Sequence, residues 1–231
     1  MAEAGGMRRW VVPAEWVARG GLFAGAPEAG AARAVPLRGW RPLFDGATLN
    51  GWVVEDNKES WVVENGAIKC LGRGGGMLRS EQQFGDFALV GEFNVERGTN
   101  SGIFVRWSDI RDPVNTGVEV QVYDSAGKPN PSKHDSGALY DLVAPTRNTM
   151  RPAGQWNRIA ILCQGPYIGV RLNGPTVSEM DLSRYTQARR NPDGSENKFR
   201  YALASLPRRG YIGLQNHGNV VSYRSLRVLP L

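Results

Sequence analysis

The chain has 231 residues, a length that fits one large all-β domain or two small ones. Its formal net charge is +6 and its pI about 9.6, but the arginines are scattered, with short pairs at Arg8-Arg9, Arg189-Arg190 and Arg208-Arg209. With no long block of like charge and no nucleic-acid motif, the excess reads as a solvated basic surface. No run approaches the roughly 18 apolar residues of a membrane span. The two cysteines, Cys70 and Cys163, form neither a disulfide framework nor zinc-ligand spacing, and both sit in apolar-alternating segments as expected of buried free thiols.

Residues 1–36 are rich in Ala and Gly and read as a tail or loosely docked arm, with a single domain expected over 37–231. Met7-Arg-Arg-Trp-Val-Val begins like an export signal, but Pro13, Glu15 and Arg19 break the apolar stretch. No convincing signal peptide is read there, so a cytoplasmic location is compatible with the sequence.

From Trp40 onward, short β-like runs alternate with Gly, Asn, Asp and Pro clusters. Trp61 to Cys70 reads as a hairpin because Asn65-Gly66 supplies the positive φ angles of a type I′ turn. Asp86 to Val95, Ser101 to Trp107 and Gly117 to Tyr123 follow as strands. Trp156 to Cys163 and Tyr167 to Leu172 form a pair, with a second Asn-Gly turn at Asn173-Gly174, and Tyr211 to His217 and Val220 to Leu229 close the chain. Two stretches look non-strand: Ser125 to Pro152, and the charged Pro175 to Tyr201 with a short helix expected near Leu182 to Arg189. About ten strands without βαβ alternation predict an all-β sandwich of two antiparallel sheets.

Strand side chains alternate faces. Val118, Val120 and Val122 share one face of their strand, and Glu119, Gln121 and Tyr123 the other, with Asp124 at its end. Asn100, Gly102, Phe104 and Arg106 oppose Ile103, Val105 and Trp107. Tyr211, Gly213, Gln215 and His217 oppose Ile212 and Leu214. A solvated face gives the same pattern. If the three strands are neighbours, their polar faces merge into a surface suited to carbohydrate. Amides and Arg bond hydroxyls, and aromatics such as Tyr123, Trp52 or Trp61 stack on a pyranose. His217 at a strand end is a candidate proton shuttle, whereas His134 in the polar loop reads as solvent-exposed. Gly72-Arg-Gly-Gly-Gly76 lacks the Lys-Ser/Thr and helix of a phosphate loop, and no nucleophile-elbow or zinc-protease motif occurs. Glu119 and Asp124 are not the alternating acid ladder of a sandwich glucanase.

These segments resemble the 3-keto-disaccharide hydrolase domain family (DUF1080), from about Leu43 to Val228. The resemblance is carried by Leu43-Phe-Asp-Gly46, Leu49-Asn-Gly-Trp52, Trp61-Val-Val-Glu-Asn-Gly66, Phe84-Gly-Asp-Phe87 and Asn100-Ser-Gly-Ile103 with Arg106. It continues through Glu119-Val-Gln121 with Asp124, Ser136-Gly-Ala-Leu-Tyr140, Gly154-Gln-Trp-Asn157, Leu172-Asn-Gly174 and Gly213-Leu-Gln-Asn-His-Gly218. The family's members are often exported, and the charged 175–201 insertion departs from its pattern.

The resemblance implies a concanavalin A-like jelly-roll sandwich and cleavage of 3-keto-glycosides supplied by an upstream sugar 3-dehydrogenase. A C3 ketone acidifies the C2 proton, a base removes it, the C1 aglycone leaves, and water adds to the 2-hydroxy-3-keto-glucal. The resemblance supports these positions, and the expected roles are Arg106 with Asn100 facing the enolate, Glu119 or His217 as base and acid, and Gln121, Asp124, Tyr140 and Gln215 positioning hydroxyls. No cofactor is required, although a divalent cation could be held by Glu119, Asp124 and His217. The competing readings are a non-catalytic, lectin-like carbohydrate-binding module and an ordinary glucanase.

Overall fold

The computed structural model describes residues 39–231. The expected tail over 1–36, and the signal-like stretch within it, lie outside the described residues. In chain order the first strands are β1 (Arg41–Pro42), β2 (Trp52–Val54), β3 (Trp61–Glu64), β4 (Ala67–Leu71), β5 (Gly76–Ser80), β6 (Phe87–Val95) and β7 (Asn100–Trp107). They are followed by β8 (Val118–Tyr123), β9 (Asn157–Gln164), β10 (Tyr167–Leu172), β11 (Thr176–Asp181), β12 (Tyr211–Asn216) and β13 (Val220–Pro230).

The strands build two antiparallel sheets. The first runs β11-β10-β9-β6-β13-β4-β3, with β1 paired on β13, and the second runs β2-β5-β12-β7-β8. Asn65 (φ 52°) and Gly66 (φ 72°) make the β3–β4 turn, and Asn173 (φ 52°) and Gly174 (φ 125°) the β10–β11 turn, as their sequences predict. The 175–201 segment is a correction: its first part is β11, and only a single 3₁₀ turn, Leu182–Arg184, stands where a helix was expected. Val170 pairs with Ser178 and Arg171 with Thr176, so Val177 is an unpaired bulge residue that breaks the alternation.

Ile103, Val105, Val118, Val120, Val122, Ile212 and Leu214 of the five-stranded sheet pack into the main core with Phe93, Ile159, Ile161 and Tyr223 of the other sheet. Each buried branched or aromatic side chain contributes on the order of 2 kcal/mol. Trp52 and Trp61 belong to this core, with Trp52 Nε1 donating to the Leu43 carbonyl at 2.8 Å, so neither is a sugar platform. Cys70 and Cys163 are buried free thiols.

A second, small cluster of Met77, Phe104 and Trp107, flanked by Tyr211, lies on the opposite face of the five-stranded sheet. Trp107 reaches it through a bulge. Phe104 pairs with Gly213 and Trp107 with Tyr211, so Val105 and Arg106 together oppose Ile212. Arg106 adopts φ 57°, and the backbone of Gly210 lies so close to it that no Cβ would fit there. The extra residue exchanges the two faces. Trp107 is thereby turned outward, and Arg106 is buried.

Arg106 Nη2 donates to Asp86 Oδ1 at 3.1 Å, and the Gly165 amide donates to Asp86 Oδ2 at 3.0 Å. Arg106 also lies beside Cys163, but burial dominates and pushes that thiol up to about 11. Nε and Nη1 of Arg106 have no hydrogen-bond partner, so its charge depends on Asp86. Asp86→Ala leaves that cation buried alone and is expected to cost about 2–3 kcal/mol in urea unfolding, with an unchanged m-value.

Candidate active site

The site grows from β8. Its valines commit one face to the core, which leaves Glu119 and Gln121 on the other face, nearly inaccessible to solvent. Continuing the register across the sheet, Gln121 opposes Gly102 of β7, and Gly102 opposes Gln215 of β12. The row therefore carries two amides on either side of a residue with no side chain. Glu119 leans into the gap: a Cβ on Gly102 would stand 2.5 Å from its Oε1 and 2.8 Å from its Cγ. Gln121 Nε2 donates to Asn100 Oδ1 at 2.8 Å. The Oε1 atoms of Gln121 and Gln215 are buried without a protein partner, so two acceptors are left for donors from outside the chain.

Residues 137–140 add to the edge of β8. The Gln121 amide donates to the Ala138 carbonyl and the Tyr140 amide to the Glu119 carbonyl, both at 2.9 Å. This brings Tyr140 beside Glu119. The His134 ring packs on Tyr140 with centroids 4.7 Å apart, and His134 Nε2 lies 3.4 Å from Asp141 Oδ1. Lys198 arrives from the charged insertion. Its Nζ is 3.1 Å from Glu119 Oε2 and 4.4 Å from the Tyr140 ring centroid, and its backbone amide donates to Asp141 Oδ2 at 2.6 Å.

The electrostatics follow from this packing. Burial raises the Glu119 carboxyl above its ordinary range, while Lys198, His217 and His134 pull it back. Burial, then the charges of Glu119 and Asp141, raise the Tyr140 phenol, so it remains a proton donor at neutral pH. His217 is exposed at the end of β12 and close enough for its charge to act on Glu119.

Glu119, Gln121, Asn100, Tyr140, Gln215 and His217 therefore share one face. Two predicted members do not. Arg106 is turned into the sandwich by the bulge and is paired with Asp86. Asp124 lies one residue beyond β8, where its Oδ2 accepts from the Gly98 amide at 2.9 Å and caps the turn before β7. A cation held by Glu119, Asp124 and His217 consequently does not assemble, and the described residues contain no group of three or more His, Cys, Asp or Glu placed to hold a metal. Sequence reasoning missed Lys198 and Asp141, whereas His134 is exposed as expected while also packing against Tyr140. The only signal was the Tyr140-Asp141 dipeptide and the charge of the insertion, neither of which has a period to place it.

A buried carboxylate paired with a lysine, free amide acceptors and a phenol donor on the face of a sandwich are the groups that a carbohydrate-active enzyme uses. A model of the 3-keto-alpha-glucoside-1,2-lyase-like domain matches residues 39–229, and the chain belongs to that family. A 3-keto-disaccharide hydrolase from Bacteroides thetaiotaomicron is 29% identical over 232 residues, covering 85% of this chain and 80% of that one. A solved candidate glycosyl hydrolase from Parabacteroides distasonis superposes with a TM-score of 0.74 at 30% identity, over 83% of this chain and 99% of its own. Another from the same organism gives 0.64 at 25% identity, over 84% of each chain. The kappa-carrageenase of Pseudoalteromonas carrageenovora, 10% identical with a TM-score of 0.51 over 87% of this chain and 98% of its own, shares the fold alone.

Proposed function

We propose that this enzyme cleaves the glycosidic bond of 3-keto-glycosides by C2 deprotonation, β-elimination of the C1 aglycone and hydration. The observation that carries this reading is the buried Glu119 carboxyl, raised by burial yet held by a lysine ammonium at 3.1 Å. A carboxyl moved toward neutrality is matched to abstracting a carbon-bound proton made acidic by a neighbouring ketone. Glu119 takes the C2 proton as the enolate forms. The enolate then collapses to the ketone, the C1–O bond breaks, and a C1=C2 double bond remains. His217, exposed beside the carboxylate, protonates the leaving oxygen and is recharged from solvent. Water next adds its hydroxyl to C1 and a proton to C2, giving the free 3-keto sugar. Gln121 and Gln215 present their free oxygens to sugar hydroxyls, with Asn100 fixing the first and Tyr140 donating its phenol. The substrate's ketone requires a prior oxidation at C3, which is the work of a sugar 3-dehydrogenase.

A lectin-like module would need the amides but not a charged pair buried beside them. Incubation with 3-keto-trehalose or a 3-keto-glucoside separates the two functions. Release of 3-keto-glucose is the expected result, and binding without turnover would assign the module instead.

A further inference from the structure

Proton abstraction beside a ketone throws negative charge onto the C3 oxygen, and a donor must meet it. The bulge removes Arg106 from this duty. Lys198 stands where the chemistry needs a cation. The acidic C2–H and the C3 oxygen belong to adjacent carbons, so base and donor must sit side by side, each within about 3 Å of its target. Glu119 Oε2 and Lys198 Nζ are 3.1 Å apart.

The segment that delivers Lys198 is built to hold it. The Arg189 amide donates to the Phe199 carbonyl at 2.8 Å, the Asn197 amide to the Arg189 carbonyl at 3.1 Å, and Arg190 and Glu196 pair as an antiparallel backbone β-bridge. Across the hairpin, Asn197 Nδ2 donates to Asn191 Oδ1 at 3.1 Å within a buried pair. Phe199 is fully buried next to Lys198, and Asp141 holds the Lys198 amide from the opposite side. A solvated surface lysine requires none of this.

We propose that Lys198 is a catalytic residue, whose ammonium carries the oxyanion formed at C3 when Glu119 removes the C2 proton. The role rests on the 3-keto reading given above. Glu119 gains the proton, the C2–H electron pair forms the C2=C3 bond, and the carbonyl pair moves to the oxygen bonded by Lys198. No electron leaves the substrate, and no co-reactant is needed.

The alternative is that Lys198 merely keeps Glu119 ionised, alongside His217 and His134. The pH profile separates the two. With a 3-keto-glucoside bearing an aryl aglycone, Lys198→Met is expected to lower kcat about 10²–10³-fold even on the alkaline plateau, where Glu119 is ionised in both proteins. Lys198→Cys, alkylated with 2-bromoethylamine, rebuilds the lysine side chain with sulfur in place of its γ-methylene and should recover most of the rate. The native Cys70 and Cys163 are buried, with thiols raised by burial, so the introduced thiol is the one that reacts. Recovery of the parental plateau by Lys198→Met at high pH, or no gain on alkylation of a folded Lys198→Cys protein, overturns the role. Cleavage by the parental protein with an unaffected Lys198→Met variant overturns the Lys198 role alone. No cleavage by the parental protein overturns the functional reading and this role together.

Discussion

Glu119→Gln is expected to lower kcat on a 3-keto-glucoside on the order of 10³-fold, the usual yield of a positioned acid–base group, while raising the melting temperature at pH 7. The two effects have one cause. The amide keeps the shape and the hydrogen bond but cannot accept a carbon-bound proton. The stability gain follows from the direction of the shift. Glu119 titrates above its ordinary value of 4.5 in the folded chain, chiefly because it is buried. Its contribution is fully present below about pH 4.5. As pH rises, the unfolded chain loses this proton first, so stability falls until the folded carboxyl has also ionised. Glutamine does not titrate and escapes that loss. The melting-temperature difference between the two proteins should therefore shrink as pH falls toward 4.5, as thermal scans over a pH series would show. An equal difference at acid pH would mean that the carboxyl is not strained by burial. An active glutamine variant would mean that it is not the base.

Gly102→Ala is expected to cost about 10–100-fold in kcat with little change in stability. A methyl group at this position would meet Glu119 Oε1 at 2.5 Å, Cγ at 2.8 Å and Cδ at 3.0 Å. The strand backbone accepts alanine, and the change in chain entropy is worth less than about 1 kcal/mol. The obstacle is the carboxylate itself, which must swing away from the gap between Gln121 and Gln215. A displacement of about 1 Å in a reacting group is enough for a loss of that size. Steady-state kinetics beside urea unfolding checks both halves of the expectation. A protein that loses stability and activity in proportion would place Gly102 in the core rather than at the site.

The parts of this molecule that were legible in the sequence are those where local chemistry decides the outcome. Asn65-Gly66 and Asn173-Gly174 turn where they should because few other pairs take those φ angles without strain. The Val118, Val120, Val122 alternation fixes the side on which Glu119 and Gln121 stand, and three such strands are neighbours in one sheet. Period-two reasoning then fails where the period is broken. One extra residue in β7 sends Arg106 inward and Trp107 outward, and no residue type at that point announces it. Asp124 fails for a related reason: β8 ends at Tyr123, and the next side chain serves the Gly98 turn. Lys198 was out of reach because its place depends on the hairpin at 189–199 folding back over a strand some eighty residues earlier, which only tertiary contacts determine.

That hairpin divides the labour of the site unevenly. The Glu119 carboxyl sits in a sheet that cannot shift without disturbing the core, while its cationic partner Lys198 rides on an excursion between β11 and β12 whose bonds are largely its own. Lengthening such an excursion is thermodynamically mild, roughly 0.6 kcal/mol for each doubling of a flexible loop. The excursion can therefore lengthen away from Lys198 at little thermodynamic cost, so long as the lysine keeps its place 3.1 Å from Glu119.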